Sequence, residues 1–172
     1  TLIHPNKQQT HKISIWIMDE DRLVAELLTD FLLSTDRICQ INKVESKDMI
    51  VSLRRSLAPP DMILMDLKSN KGLDLIDILK RDFPDISLIL LSTNYEIVHT
   101  GFLFKAGFSA FLPKKTNKKA ILKAIYSVKD TGYYLTKTQV EVLRNQITSK
   151  SPKLTMHPKE MLSEREKEVL VL

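Results

Sequence analysis

A chain of 172 residues is long enough for one domain of ordinary size with an appendage. Its 43% hydrophobic and 27% charged residues fit a folded globular protein rather than a disordered one, and no apolar run reaches the length of a membrane span. A net charge of +5 permits acidic partners without requiring one, the single cysteine excludes an internal disulfide, and the polar opening TLIHPNKQQTHK lacks the apolar centre of a signal peptide, so a cytoplasmic location is expected.

Residues 1–11 read as a disordered arm. From Lys12 to Asp130, apolar runs alternate with segments at helical spacing. The runs are Ile13 to Met18, a weaker one from Ile38 to Val44, Met62 to Leu67, Ser87 to Ser92, and Ala110 to Pro113. Near-continuous apolar runs suit strands covered on both faces; a half-exposed strand would alternate. Cys39, within RICQI, reads as a small buried hydrophobe. Between the runs, Val24, Leu27, Leu28 and Phe31 share a helical face, as do Ile76, Leu79 and Phe83, and then Ile121, Ala124, Ile125 and Val128. Gly107 stands where a left-handed helix cap belongs, whereas Gly101 lies inside the fourth helical segment and should weaken it by about 1 kcal/mol relative to Ala. Five strands alternating with five helices predict an α/β fold, a five-stranded doubly wound parallel sheet with right-handed crossovers.

Beyond Asp130, residues 131–160 read as a linker. TGYYLT is a turn, Gln139 to Ile147 is spaced for one short helix, and TSKSPKLTMHPKE has two prolines and no periodicity. In residues 161–172, Ser163 followed by Glu166 forms a capping box ahead of Val169, Leu170 and Leu172, so a helix begins there.

In a doubly wound sheet, ligands bind outside the carboxyl ends of the strands. The first strand ends in Asp19 and Glu20, the third carries Asp66, the fourth ends in Ser92 and Thr93, and the fifth in Pro113, Lys114 and Lys115. Three carboxylates held together would repel, and a hard divalent cation resolves this; oxygen ligands suit magnesium, and the scattered histidines do not suit zinc. Magnesium beside a carboxylate, a lysine and a hydroxyl makes a phosphoryl-transfer site. Asp66 is then the nucleophile, with Asp19, Glu20, Asp66 and the backbone carbonyl of Lys68 as metal ligands, and Ser92, the Thr93 backbone and Lys114 touching phosphoryl oxygens. Taken singly, each has a bland explanation: Asp19 and Glu20 as helix N-terminal acids, Asp66 as a turn residue, Lys114 as part of a solvated KKTNKK face, Phe111 as a core aromatic. Their common register at the strand ends favours the site.

The acidic pair in IMDED, PDMILMDL around Asp66, LILLST and AGFSAFLPK, in this order, resemble the motifs of bacterial response-regulator receivers. The following GYYLT resembles the NarL/FixJ subfamily, in which LSEREKEVLVL is similar to the opening of a LuxR-type helix-turn-helix domain, truncated here. The resemblance implies a flavodoxin-like receiver over residues 12–130 and the start of a truncated helical DNA-binding domain. It implies magnesium, a histidine-kinase phosphodonor, a homodimer, and DNA contact only through a full helix-turn-helix domain; the receiver promotes its own phosphorylation rather than turning over a substrate. It also implies that Ser92 and Phe111 report phosphorylation to the face formed by the fourth helix and fifth strand, where Ile97, Val98, Phe102, Leu103 and Phe104 exceed what one buried face needs. The pattern departs in the loop after Asp66, which lacks the usual proline and is about two residues shorter, in Lys68, and in Thr93. These predict weak magnesium affinity with a long-lived phosphoaspartate. Two other readings stay open: a degenerate receiver that dimerises without phosphate, and a haloacid-dehalogenase-type hydrolase with Asp19 as nucleophile in Asp19-Glu20-Asp21.

Overall fold

The structure is a computed structural model, described over residues 12–44, 49–50, 58–67 and 72–148, with the backbone alone at 72–74. The expected arm, Lys68, the linker beyond residue 148 and the capping box at Ser163 lie outside the described residues. The elements are β1 (Ile13–Met18), α1 (Arg22–Leu33), β2 (Ile38–Lys43), β3 (Met62–Met65), α2 (Gly72–Asp82), β4 (Ser87–Ser92), a 3-10 turn (Ile97–His99) running into α3 (Thr100–Lys105), β5 (Phe108–Pro113), α4 (Lys118–Thr131) and α5 (Lys137–Thr148). Met49 and Ile50, between β2 and β3, are helical. No helix among the described residues is long and apolar enough to cross a membrane.

The five strands form one parallel sheet in the order β2-β1-β3-β4-β5. Side chains alternate across it. Ile13, Ile15, Ile17, Leu64, Ile89 and Leu112 pack beneath α1 and α4, against Ala25, Leu32, Ala124, Ile125 and Val128. Trp16, Ile63, Met65, Leu88 and Leu90 face the other way, onto Ile76 and Leu79 of α2, Phe83, and Leu103 of α3. Burial on both faces is what the near-continuous apolar runs encode.

Three expectations change. Cys39 is exposed, not buried. The register steps from Ile13–Ile38 to Ser14–Gln40, so Cys39 is the extra residue of a bulge on an edge strand, where its thiol donates to Ile13 O at 3.6 Å. In α1 the core face is Ala25, Leu28 and Leu32 rather than the face centred on Leu27, which is exposed. β5 begins at Phe108, and a second register step puts Ser109 in a bulge, so Phe108 and Phe111 fall on one face despite odd spacing. The polar Ser109 in the bulge interrupts the apolar run, which is why the run alone starts the strand at Ala110.

Gly107 caps its helix as expected, and the structure adds three further caps. Asp21 accepts the Val24 N–H at the start of α1, Asn117 accepts the Ala120 N–H at the start of α4, and Gly107 (φ 98°) and Gly132 (φ 91°) supply left-handed turns after α3 and α4. At the opposite end of the sheet from the predicted site, Asp61 joins four elements. Its carboxylate accepts from Ser14 N–H at 2.8 Å and from Lys129 Nζ on α4, while its backbone carbonyl accepts from Ser87 N–H. Burial opposes its charge, but the hydrogen bonds from Lys129 and Ser14 outweigh that and hold its pKa below the usual carboxylate value.

Candidate functional site

β1, β3 and β5 end at the same edge of the sheet, and the chain just past each end supplies one charged group. Asp66 follows Met65 directly, its N–H donating to Met18 O at 3.0 Å, so its place is fixed by the continuing sheet register. Lys114 follows Pro113, its N–H donating to Ser92 O at 2.9 Å. Lys114 Nζ then lies 2.6 Å from Asp19 Oδ2 and 2.7 Å from Asp66 Oδ2. Both carboxylates are almost wholly covered, with side-chain exposures of 4% for Asp19 and 1% for Asp66. Burial disfavours the ammonium, yet hydrogen bonds and attraction from Asp19 and Asp66 prevail and raise the Lys114 pKa above the ordinary lysine value. Lys114 therefore carries its charge at every physiological pH.

The other oxygen of Asp19 accepts the Asp21 N–H at 2.9 Å, which closes the turn into α1. Glu20, on that turn, is exposed and does not join the pair. Among the described residues no three His, Cys, Asp or Glu side chains stand close enough to share a metal ion. The donor chemistry nevertheless suits a hard cation. One ammonium against two buried carboxylates leaves the described site net negative, and every candidate ligand atom is oxygen. Asp21, which the hydrolase reading needs beside Asp19, instead caps α1.

Ser92 is buried at the end of β4, where its hydroxyl accepts the Asn94 N–H at 3.2 Å; the Thr93 side chain is exposed. Phe111 is fully buried. Its ring meets that of Tyr95 at a centroid distance of 5.6 Å, and its carbonyl accepts from Gln139 of α5 at 3.0 Å. The same Gln139 amide donates to the Tyr95 hydroxyl at 2.8 Å. From sequence Tyr95 had no assigned role and Gln139 only that of opening a short helix. Thr136 and Gln139 do carry a legible signal, a T-x-x-Q capping box: Gln139 N–H donates to Thr136 Oγ1 at 3.2 Å and Thr136 N–H to Gln139 Oε1 at 2.9 Å.

Residues 15–126 match the family described as the response regulator receiver domain. The chain belongs to that family. The receiver is 25% identical over 162 residues to the response regulator GacA of Pseudomonas viridiflava, covering 93% of this chain and 74% of that one. It is 27% identical over 127 residues to the transcriptional regulatory protein DegU of Brevibacillus brevis, covering 73% of this chain and 53% of that one. Its fold is similar to that of the RcsB response regulator of Salmonella typhimurium, with a TM-score of 0.66 at 19% identity over 94% of this chain and 76% of that one. It is also similar to the isolated receiver domain of RcsB from Salmonella enterica serovar Typhimurium, solved with a phosphomimetic, with a TM-score of 0.65 at 17% identity over 77% of this chain and 99% of that one. Receiver membership sets the hydrolase reading aside.

Proposed function

We propose that Asp66 accepts a phosphoryl group from a histidine kinase in the cytoplasm and that the receiver thereby controls transcription through a helix-turn-helix domain beginning near residue 161. The observation that carries this is the Lys114 ammonium held between two buried carboxylates, Asp19 and Asp66, at the carboxyl edge of the sheet. An Asp66 carboxylate oxygen attacks phosphorus while the P–N bond of the donor phosphohistidine breaks. An aspartyl phosphate forms, and the imidazole leaves with the electron pair. Lys114 moves from neutralising Asp66 to neutralising a phosphoryl oxygen. The Ser92 hydroxyl and the Thr93 backbone N–H complete the contacts. Asp19, Glu20, Asp66 and the backbone carbonyl of Lys68 are the ligands for magnesium, which when bound supplies positive charge to the transferring oxygens. Glu20 must turn inward to join them.

Beryllofluoride, a mimic of the aspartyl phosphate, tests this. Its fluorine NMR signal should shift to a bound position with the protein only when magnesium is present, and Asp66→Asn should abolish the bound signal. An equal bound signal from the Asn variant would remove Asp66 as acceptor. No bound signal from the parent protein would leave the phosphate-independent dimerisation module.

A further inference from the structure

The first turn of α4 holds Lys118 and Lys119 and no acid. The unbonded N–H groups of a first turn already carry partial positive charge, so folding alone favours Asp or Glu there and is opposed by lysine. Lys115, just ahead of the helix, and Lys123, one turn after Lys119, extend the same sign. All four residues are exposed. Among the described residues no carboxylate pairs with any of them, whereas Lys43 faces Glu26, Arg37 faces Asp130 and Lys129 faces Asp61. The one acid of α4, Asp130, stands at its far end and is held by Arg37.

Aromatic rings steady two of the four ammoniums. Lys118 Nζ lies 4.9 Å from the centre of the Phe31 ring on α1, and Lys123 Nζ lies 6.0 Å from that of Tyr134, after α4. One side chain leans toward α1 and the other toward the chain that leaves α4, so the charges spread across the helix. A face that costs helix stability, holds unpaired cations and spreads them fits an extended polyanion.

We propose that this face of α4 binds the phosphodiester backbone of double-stranded DNA, so that the receiver itself adds sequence-independent contacts to those of a helix-turn-helix domain. The resemblance drawn from sequence implies DNA contact only through that domain; Lys115, Lys118, Lys119 and Lys123 supply a second contact. Lys119 and Lys123 are separated by about 6 Å along the helix axis, close to two phosphate steps of one strand. Their ammoniums displace counterions from DNA without first leaving a carboxylate. The choice of DNA among polyanions rests on the proposed control of transcription, which holds the receiver near a duplex; it does not depend on Asp66.

Fluorescence anisotropy of a short mixed-sequence duplex, titrated with the full chain between about 50 and 200 mM salt, tests this. Lys119→Gln combined with Lys123→Gln should weaken binding about tenfold at the low-salt end, and the plot of log affinity against log salt should become shallower by about 2. Lys12→Gln combined with Lys105→Gln removes the same charge from exposed positions at the opposite, amino edge of the sheet, and should change affinity less than about threefold. Removing Lys119 relieves the helix dipole, so the first double variant should melt no lower than the parent by circular dichroism. Equal losses in the two double variants would reduce the effect to net charge and overturn the proposal, as would absence of duplex binding by the parent at the low-salt end. A polyglutamate matched in charge that binds the parent as tightly as the duplex would assign the face to an acidic protein and overturn it too. Each of these outcomes leaves the beryllofluoride test of Asp66 untouched.

Discussion

Lys114 is the residue on which the site turns, because its ammonium and a divalent cation compete for the same two carboxylates. With Nζ at 2.6 and 2.7 Å from Asp19 and Asp66, it neutralises half of the buried negative charge and repels any cation brought beside it. At a partly wet site that repulsion is worth about 1 kcal/mol. Lys114→Met should therefore bind magnesium about fivefold more tightly, followed by calorimetry or by chemical shifts of the site, while the beryllofluoride adduct becomes weaker because a phosphoryl oxygen loses its partner. Equal magnesium affinity in parent and variant would mean that Lys114 swings clear of the metal at no cost. Asp19, Asp66 and Lys114 were legible in the sequence because parallel strands converge at their carboxyl ends, and a charge directly after an apolar run has nowhere else to stand. Glu20 was legible as a neighbour of Asp19 but not as an outlier, since a turn residue can face either way. Tyr95 and Gln139 were not legible as a pair, being 44 residues apart and joined by one hydrogen bond.

At the level of elements, local pattern sufficed where packing is repetitive and failed at edges. Ile121, Ala124, Ile125 and Val128 of α4 are all buried as spaced, because an uninterrupted helix keeps its period along the whole contact. The bulges at Cys39 and Ser109 fall on the two edge strands, β2 and β5, where a ladder is free to slip by one residue and periodicity misleads. In α1, Ala25 rather than Leu27 meets the sheet; a small residue lets the helix approach, which a count of large apolar side chains cannot register. The elements are also tied by charge. Asp61 joins β1, β3, β4 and α4, and its folded pKa lies below its unfolded value of about 3.9. A depressed carboxyl pKa contributes stability above the unfolded pKa and loses it as pH falls through the folded one. Asp61→Asn should cost about 1 kcal/mol at pH 7, since the pair is partly open to solvent, and the gap between parent and variant should close below about pH 4. Urea melts at pH 7 and pH 3 measure this; a gap that persists undiminished at pH 3 would assign the loss to the Ser14 hydrogen bonds rather than to the charge on Asp61.

Among the described residues, exposed apolar side chains on α1 and near α3 each suit pairing, and α5 discriminates between these two faces. On α1, Leu23 and Leu27 are one turn apart and 64% and 60% exposed. Near α3, Ile97, Val98 and Phe104 are exposed as the sequence reading expected, but Val98 and Gly101 already hold Gln146. A second copy seated on α3 and β5 must displace bonds that α5 makes, whereas one seated on α1 displaces none of them. The resting protein should therefore pair through α1. Because a two-fold interface uses each residue twice, one charged substitution is felt on both protomers, and burying a leucine is worth about 2 kcal/mol per copy. Leu27→Glu should shift the resting protein to monomer in sedimentation velocity, while Val98→Glu should leave its assembly as in the parent. With magnesium and beryllofluoride present, Val98→Glu should reduce any assembly that the parent gains through the α3 face. If Val98→Glu dissociates the resting protein and Leu27→Glu does not, the α3 face is already shared at rest and α5 is no barrier to it. A parent that is monomeric under both conditions at every concentration removes pairing from the mechanism.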